Sequence, residues 1–411
     1  MIDASYSKVV GDDKEMSNSA RNHYHHSHQA PVLVTGAAGY IGSIVVRRLL
    51  DRGYHVRVLD RLMYGDDAIR DILNHPRIEM IVADFRDGAV VARAVKGVSA
   101  VIHLGAIVGD PACTLNDDLT ISTNFEGTRI IAAACKEAGV RRMIFGSTCS
   151  VYGASDEMLD ESSALNPVSL YANTKIAAER ALLDLRDDAF SPVIMRFATA
   201  YGHSYRPRFD LAVNVMTAKA VKEGQITIHG GDQWRPFVHV DDIARVLILA
   251  LEAPIENVAG QTFNIGSQEQ NHKLREVGEI IQALVPHAEV IINDLIVDKR
   301  NYYVHFDKIL SVLGFTAEHT LAASVMEMKN ALDSGVVMDY LDRRYNNHQF
   351  LCQMQSDLTQ ETNRPPVVRV ALATPVTQFM VAGFSLPLSG RLKAATTGEI
   401  APIAYVLPVT Q

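Results

Sequence analysis

The sequence predicts an α/β fold, with a doubly wound parallel sheet and a smaller C-terminal portion. Three observations predict it. Short apolar runs alternate with helical patterns from residue 31 to about residue 200, a glycine-rich turn follows the first run, and an acidic residue ends the second. Strands and helices that alternate at this spacing imply parallel strands joined by right-handed crossovers, with helices on both faces of the sheet.

The alternation is most regular in the first half of the chain. There we expect strands at residues 32–35, 55–59, 78–82, 100–104, 143–146 and 193–196, and helices at 40–52, 87–95, 123–138 and 171–185. After residue 200 we expect helices at 211–222, 242–251, 273–284 and 321–332, with strands at 226–228, 262–265 and 290–292. The main domain is therefore predicted over residues 31–200, and the smaller portion over 201–350 is predicted to be partly built on returns to the main sheet.

The two ends of the chain differ from this pattern. Residues 1–29 are polar and without periodicity, which indicates a disordered extension, and residues 352–411 form a tail of no assigned role. A formal net charge of −8 argues against broad surfaces for nucleic acid or anionic membranes. The four cysteines lack metal-ligand spacing and indicate a reducing compartment, the cytoplasm. No apolar run approaches the about 20 residues that span a bilayer.

A glycine turn indicates a dinucleotide site. Gly36, Gly39 and Gly42 follow the first strand and open a helix, where free N–H groups and close backbone approach suit a diphosphate. Asp60 lies 24 residues after Gly36, close to the about 20 expected for a ribose-binding carboxylate. The pattern predicts a Rossmann-type sheet that binds NAD. Arg61 leaves NADP open, since a cation there could tolerate a 2′-phosphate.

Further residues could complete the cofactor site. Asp84 and Phe85 close the third strand, in a place that suits contact with adenine. Ordinary core packing explains Phe85 equally well, so both interpretations stay open.

A tyrosine and a lysine indicate the chemistry. Tyr171 and Lys175 are four residues apart, which places them on one face of a helix. A neighbouring ammonium is expected to lower the pKa of the phenol, so that it can exchange a proton with a substrate hydroxyl while hydride moves to or from nicotinamide. Thr148 ends the preceding strand, where its hydroxyl can hydrogen-bond the reacting oxygen. Ser147 and Ser150 are alternatives for that role.

These residues resemble the extended short-chain dehydrogenase/reductase family, in its NAD-dependent nucleotide-sugar epimerase/dehydratase branch. Six features in order carry the resemblance over roughly residues 31–345: TGAAGYIG from Thr35, HLGA from His103, Asn124, STCSVYG from Ser147, YANTK from Tyr171 and RPFVHVDD from Arg235. The resemblance implies a homodimer formed through helices 123–138 and 171–185, and a nucleotide-diphosphate sugar as substrate.

The resemblance also implies roles for individual residues. Thr148, Tyr171 and Lys175 match the catalytic positions, and Lys175 also matches a cofactor contact. The other implied cofactor contacts are Gly36, Gly39, Tyr40, Ile41, Gly42, Asp60, Leu104, Gly105, Ala106 and Asn124. The implied substrate contacts are Ser150, Thr199, Asn214, Arg235 and Arg300, the two arginines for the diphosphate. A surface salt bridge is the alternative for each arginine.

Departures from the family pattern narrow the activity. Cys149 and Ser150 stand where the 4,6-dehydratases carry an acid pair, which argues against water elimination. Thr199 replaces an asparagine that many epimerases have. The hypothesis is an NAD-dependent epimerase acting at C4 of a nucleotide sugar. Two alternatives stay open: an NAD(P)H-dependent nucleotide-sugar 4-ketoreductase and a non-catalytic NAD-binding regulator.

Overall fold

The computed structural model describes residues 30–293, 300–337 and 339–362, and the extension predicted over 1–29 lies outside them. Most of the tail predicted over 352–411 also lies outside the described residues. The strands, in chain order, are β1 Val32–Thr35, β2 Val56–Asp60, β3 Ile78–Val82, β4 Ala100–His103, β5 Arg142–Thr148, β6 Ala154–Leu159, β7 Ser191–Phe197, β8 Thr199–Tyr201, β9 Gln225–His229, β10 Trp234–His239, β11 Thr262–Ile265, β12 Asn271–Lys273, β13 Glu289–Asn293 and β14 Asn301–Val304.

The helices alternate with these strands. They are α1 Gly42–Asp51, α2 Gly88–Ala94, α3 Asp110–Cys113, α4 Asp117–Ile121, α5 Gly127–Glu137, α6 Leu170–Asp184, α7 Ala212–Glu223, α8 Val240–Glu252, α9 Ile255–Val258, α10 Leu274–Leu284, α11 Asp307–Leu313, α12 Leu321–Asp333 and α13 Asn347–Thr362.

Seven strands form the main sheet, in the order β11-β7-β5-β4-β1-β2-β3, and every neighbouring pair is parallel. This confirms the predicted doubly wound parallel sheet. Successive side chains of a strand alternate between the two cores: Val32 and Val34 pack with α1 and α8, while Leu33 packs with α2, α5 and α6. Burial on both faces explains why the strands read as continuous apolar runs.

The second half of the chain returns to the main sheet once. β11 pairs in parallel with β7, and α8 packs against α1. The remaining strands form small sheets, β12-β10-β8, β13-β9 and β14-β6. Five strands outside the main sheet have no counterpart in the sequence-based prediction: β6, β8, β10, β12 and β14. Of these, β8 and β12 have three residues each, too few to show a strand period.

One predicted helix has a different start. The segment expected as one helix over 123–138 begins with a π-helical turn at Ser122–Glu126, and α5 continues it. Asn124 lies in this turn, where the wider winding directs its side chain toward the loop after β4. None of the described helices is both long and apolar enough to cross a membrane.

Candidate active site

The turn between β1 and α1 is built from glycines that leave no room for side chains. Gly36 has a φ of +72°, and a Cβ added there would lie 2.7 Å from the backbone nitrogen of Gly105. A Cβ on Gly42 would overlap the carbonyl oxygen of Gly36. The first glycine therefore lets the turn approach the loop after β4, and the third lets α1 start directly on the turn. In the first turn of α1, the N–H of Ser43 donates to the carbonyl of Gly39 and the N–H of Ile44 donates to the carbonyl of Ile41, both at 3.1 Å, so the helix winds directly out of the glycine turn.

Asp60, at the end of β2, is joined to the glycine turn. Its carboxylate accepts hydrogen bonds from the N–H of Ala38 at 3.0 Å and from the N–H of Leu62 at 2.8 Å. Burial raises the pKa of Asp60, while the two amides and the guanidinium groups of Arg206 and Arg61 lower it. The carboxylate therefore lies where the dinucleotide pattern places a ribose contact.

Tyr171 and Lys175 lie one turn apart at the start of α6, whose N-cap Ser169 accepts a hydrogen bond from the N–H of Ala172 at 3.2 Å. Tyr171 lines the cleft. The ammonium of Lys175 is buried behind it, donates to the carbonyl of Gly146 at 2.7 Å, and lies 6.0 Å from the centroid of the Tyr171 ring. Strand β5 therefore fixes the ammonium while α6 presents the phenol.

Burial has the largest effect on both side chains. It raises the pKa of Tyr171, although the guanidinium of Arg208 and a hydrogen bond with Thr148 lower it. It lowers the pKa of Lys175 to about 8. The expected lowering of the tyrosine pKa is therefore wrong for this structure, because the loss of solvation outweighs the nearby cation.

Hydroxyl groups gather beside Tyr171. Thr148 ends β5, and its Oγ1 accepts a hydrogen bond from the N–H of Ser150 at 3.1 Å. Thr148, Ser150 and Thr199 all line the cleft. Cys149 is fully buried on the other side of the strand end, and its thiol donates to the carbonyl of Arg196 at 3.2 Å. The residue after Thr148 therefore presents no acid to the cleft.

Most of the predicted site residues meet in this single cleft at the carboxyl ends of the main strands. Those that line it are Gly36, Gly39, Tyr40, Ile41, Gly42, Asp60, Arg61, Phe85, Leu104, Gly105, Ala106, Thr148, Ser150, Tyr171, Thr199 and Arg300. This edge is where open α/β sheets bind their ligands.

Two predicted asparagines support the walls of the cleft from behind, outside its lining. Asn124 accepts a hydrogen bond from the N–H of Ile107 and donates to the carbonyl of the same residue, both at 2.8 Å. Asn214 accepts from the N–H of Gly202 and donates to the carbonyl of Arg208, both at 2.9 Å. Their side-chain amides shape loops of the cleft, so the structure gives both a positioning role.

Two predicted charged residues also lie outside the lining. Asp84 pairs with Arg86 at 2.7 Å and with Arg61 at 3.5 Å. Arg235 is buried, donates to the carbonyl of Trp234 at 2.8 Å, and stands 5.4 Å from the ring centroid of Tyr302. Tyr302 itself lines the cleft, so its ring lies between the guanidinium of Arg235 and the cleft.

Several lining residues were missed by the sequence analysis. Tyr64, Arg206, Arg208, Tyr302 and Asn347 line the cleft. Arg206 and Arg208 come from the loop between β8 and α7, and Asn347 starts α13, beyond the range of the resemblance. The only sequence signal was a pair of arginines around a proline soon after Gly202, and spacing alone does not assign a ligand to such a pair.

A buried network holds α6, the helix that carries Tyr171 and Lys175, against the sheet. Glu179 of α6 and Arg196 of β7 form an ion pair at 2.7 Å, and both side chains are less than one-tenth exposed. Ser147 of β5 also donates to Glu179. The phenol of Tyr152 accepts from Arg196 at 2.9 Å and donates to Asn264 of β11 at 2.8 Å. Because Glu179 is one turn beyond Lys175, this network fixes the orientation of the helix face that carries Tyr171 and Lys175.

Comparison with known proteins gives consistent matches. The model of the NAD dependent epimerase/dehydratase family matches residues 32–266. The "Uncharacterized UDP-glucose epimerase YtcB" of Bacillus subtilis (strain 168) is 28% identical over 317 residues, which cover 72% of this chain and 99% of that protein.

Solved structures give the same picture. MoeE5, in complex with UDP-glucuronic acid and NAD, is 29% identical with a TM-score of 0.65, over 74% of this chain and all of that one. DesIV, a dTDP-glucose 4,6-dehydratase from Streptomyces venezuelae solved with NAD bound, is 27% identical with a TM-score of 0.65, over 74% of this chain and 98% of that one.

Proposed function

The chain belongs to the NAD-dependent epimerase/dehydratase family, and within it we propose a nucleotide-sugar epimerase that acts at C4. One observation carries the proposal: Tyr171 and Thr148 line the same cleft as the glycine turn, with Lys175 directly behind. The similarity to a UDP-glucose epimerase and to a protein solved with UDP-glucuronic acid supports a nucleotide sugar as the substrate.

The residues of the cleft fit the NAD of the family. Gly36 and Gly42 form a cradle that any Cβ would fill, at the start of α1. Asp60 lines the cleft beside that cradle, as a ribose contact requires. When bound there, NAD would supply the acceptor, and later the donor, of the hydride from the sugar carbon.

The chain's own residues would handle the proton. Tyr171 takes a proton from the sugar hydroxyl as the carbinol is oxidised and returns one when the ketone is reduced. The Thr148 hydroxyl hydrogen-bonds the same oxygen and stabilises its developing charge. The buried ammonium of Lys175 favours the phenolate at the moment it forms, because a nearby cation stabilises an anion most strongly where water is excluded.

The cleft argues against elimination of water. A dehydratase needs an acid and a base beyond the tyrosine, and the position after Thr148 holds the buried thiol of Cys149. Burial raises the pKa of that thiol, so it is a poor acid. The thiol also donates to the carbonyl of Arg196 and so faces away from the cleft. Ser150 lines the cleft but offers only a hydroxyl.

The proposal is tested with UDP-sugars labelled with deuterium at C4. We expect the purified protein to interconvert the C4 epimers without added NAD(P)H, with the deuterium retained in the product, because the hydride returns to the carbon it left. Product epimer and label are measured by NMR. Consumption of external NAD(P)H with a 4-keto sugar would establish the reductase instead, and no turnover with any labelled nucleotide sugar would contradict both.

A matched variant isolates the proton-transfer group. Tyr171→Phe is expected to lower kcat by at least about 100-fold, since general acid–base catalysis contributes about 10²–10⁴-fold, while the content of bound NAD stays unchanged. Lost NAD in this variant would indicate a misfolded cleft, and activity that survives would contradict the mechanism.

We also propose a homodimer formed through α5 and α6, in the cytoplasm. The outward faces of these helices carry small residues, Ala133 on α5 and Ala177 and Ala181 on α6, which allow helices to approach closely. Cys113, Cys135, Cys149 and Cys352 are free thiols, which supports a reducing compartment.

A further inference from the structure

Arg206 is a buried cation in the lining of the cleft. Its side chain is 7% exposed, and in the part of the chain that the structure describes no carboxylate forms an ion pair with it. Its buried Nε has no hydrogen-bond partner. Burial lowers its pKa to about 10. A buried charge without a counter-charge is costly, so this guanidinium is expected to meet an anion supplied by a ligand.

The other arginines of the cleft lining differ from it. Arg208 forms two hydrogen bonds with the carboxylate of Asp210, at 3.0 and 2.9 Å. Arg61 and Arg300 lie 3.5 and 3.4 Å from the carboxylates of Asp84 and Asp110. Each of these three arginines therefore forms an ion pair with a carboxylate of the protein, whereas Arg206 forms none among the described residues.

Arg206 lies in the half of the cleft that is formed by the glycine turn and Asp60, where the dinucleotide is expected to bind. Its guanidinium lies over the ring of Tyr64, 3.6 Å from the centroid, in the loop that follows Asp60. The carboxylate of Asp60 and the guanidinium of Arg206 are close enough to influence each other's pKa. The phenol of Tyr40, within the glycine turn, donates to the carbonyl of Gly202 at 2.7 Å and so ties the turn to the base of the Arg206 loop.

Helix α13 holds this arginine in place. The side chain of Asn347 is 1% exposed, accepts a hydrogen bond from Nη2 of Arg206 at 2.7 Å, and donates to the carbonyl of Val108 at 3.2 Å. The ring of Phe350 lies 4.7 Å from that of Tyr64. Asn347 therefore joins the loop after β4 to the loop after β8, on either side of the cleft.

The hydrophobic side of α13 packs on the segment that follows β4. Leu351 packs with Ile107 and Cys113, and Met354 contacts the same group. These contacts come from a helix beyond residue 266, where the family model ends.

We propose that Arg206, held by Asn347, is a cofactor-binding residue that neutralises the diphosphate of the bound dinucleotide, and that α13 thereby belongs to the cofactor site. The fork of a guanidinium matches phosphate oxygens and forms charge-assisted hydrogen bonds with them. The proposal concerns NAD alone and holds for an epimerase and a reductase alike. The diphosphate of a nucleotide sugar is the other source of the same chemistry, and the experiment separates the two.

The test measures the dissociation constants of NAD, ADP, adenosine and UDP by calorimetry, with the full-length protein after any bound NAD has been removed. Arg206→Gln is expected to weaken NAD and ADP binding by about 10- to 100-fold, as the loss of charge-assisted hydrogen bonds implies. Binding of adenosine, which lacks the diphosphate, and of UDP is expected to stay within about two-fold of wild type.

Asn347→Ala separates positioning from direct contact. This variant keeps the guanidinium of Arg206 but removes the hydrogen bond that holds it. The affinity for ADP is therefore expected to fall several-fold, while the affinity for adenosine stays unchanged. Gln353→Ala is the matched control on α13. The exposed side chain of Gln353 hydrogen-bonds Arg343 and Asp357, neither of which lines the cleft, so this variant is expected to leave all four constants unchanged.

The outcomes distinguish a contact with the diphosphate of NAD from a contact with the sugar nucleotide and from a structural role of Arg206. A loss of UDP affinity with NAD affinity intact would move Arg206 to the sugar-nucleotide diphosphate and overturn the proposal. Equal losses for ADP and adenosine, or none, would make Arg206 a structural residue. If circular dichroism shows that Arg206→Gln fails to fold, Arg206→Lys replaces it. Because lysine keeps the charge, the affinity of this variant for ADP is expected to fall by less than about 10-fold. A ratio of ADP to adenosine dissociation constants that stays at the wild-type value in both Arg206→Lys and Asn347→Ala would refute the proposal.

Discussion

At the scale of single residues, burial shifts the pKa values of the side chains at and behind the cleft more than their neighbours in the sequence do. Lys175 shows this most clearly, since its ammonium is held by one carbonyl and its pKa is lowered to about 8. A lowered lysine pKa means that the unfolded chain binds the proton more tightly than the folded one. The free energy of unfolding contributed by this group is therefore present above pH 10.5 and is lost as the pH falls from 10.5 to about 8.

The variant Lys175→Met tests this linkage, because methionine fills a similar volume without a charge. We expect the stability of wild type relative to Lys175→Met to rise with pH between about 8 and 10.5 and to be constant below that window. Urea unfolding at a series of pH values measures the difference. A difference that does not change with pH would show that the ammonium keeps its ordinary pKa in the folded protein.

At the scale of elements, a buried ion pair helps to anchor α6, the helix proposed to carry the catalytic tyrosine. α6 is attached to β5 and β7 through Glu179 and Arg196, both buried. Glu179→Gln removes the carboxylate and leaves the guanidinium without its counter-charge, so we expect a loss of about 3–5 kcal/mol in the free energy of unfolding. Chemical denaturation measures this loss directly.

A surface pair on the neighbouring helix provides the control. Glu126 and Arg129 form an ion pair at 2.9 Å whose side chains are about half exposed. Glu126→Gln is expected to cost less than about 1 kcal/mol, since water screens exposed pairs. Equal effects of the two substitutions would mean that Glu179 does not anchor α6.

At the scale of the molecule, the two portions of the chain share one sheet. β11 completes the edge beside β7, and Arg48 of α1 pairs with Asp241 of α8. The proposed dimer would then join two such units through α5 and α6. Light scattering is expected to give a mass of about twice the 45.1 kDa of the chain; a mass of one chain at micromolar concentration would contradict the dimer.

The sequence by itself determined the sheet, the glycine turn and the spacing of the proposed catalytic residues. Strands buried on both faces must be apolar runs, and Gly36, Asp60, Tyr171 and Lys175 stand at spacings set by local turn and helix geometry. Gly36 and Asp60, 24 residues apart, belong to one β-α-β unit, and Tyr171 and Lys175 belong to one helical turn, so these features can be predicted without the rest of the fold. The helix boundaries agreed within about two residues except at the π-helical turn around Asn124.

Only the tertiary structure decided which polar groups face the cleft. Asn124, Asn214 and Arg235 were expected to contact cofactor or substrate. The side chains of the two asparagines instead hydrogen-bond backbone groups behind the walls, and Arg235 donates to the carbonyl of Trp234. Arg206 and Asn347 lie 141 residues apart in the sequence, and their side chains form a hydrogen bond of 2.7 Å. No sequence spacing predicts this contact. The raised pKa of Tyr171 has the same origin, because desolvation is a property of the whole packed site and of no single residue.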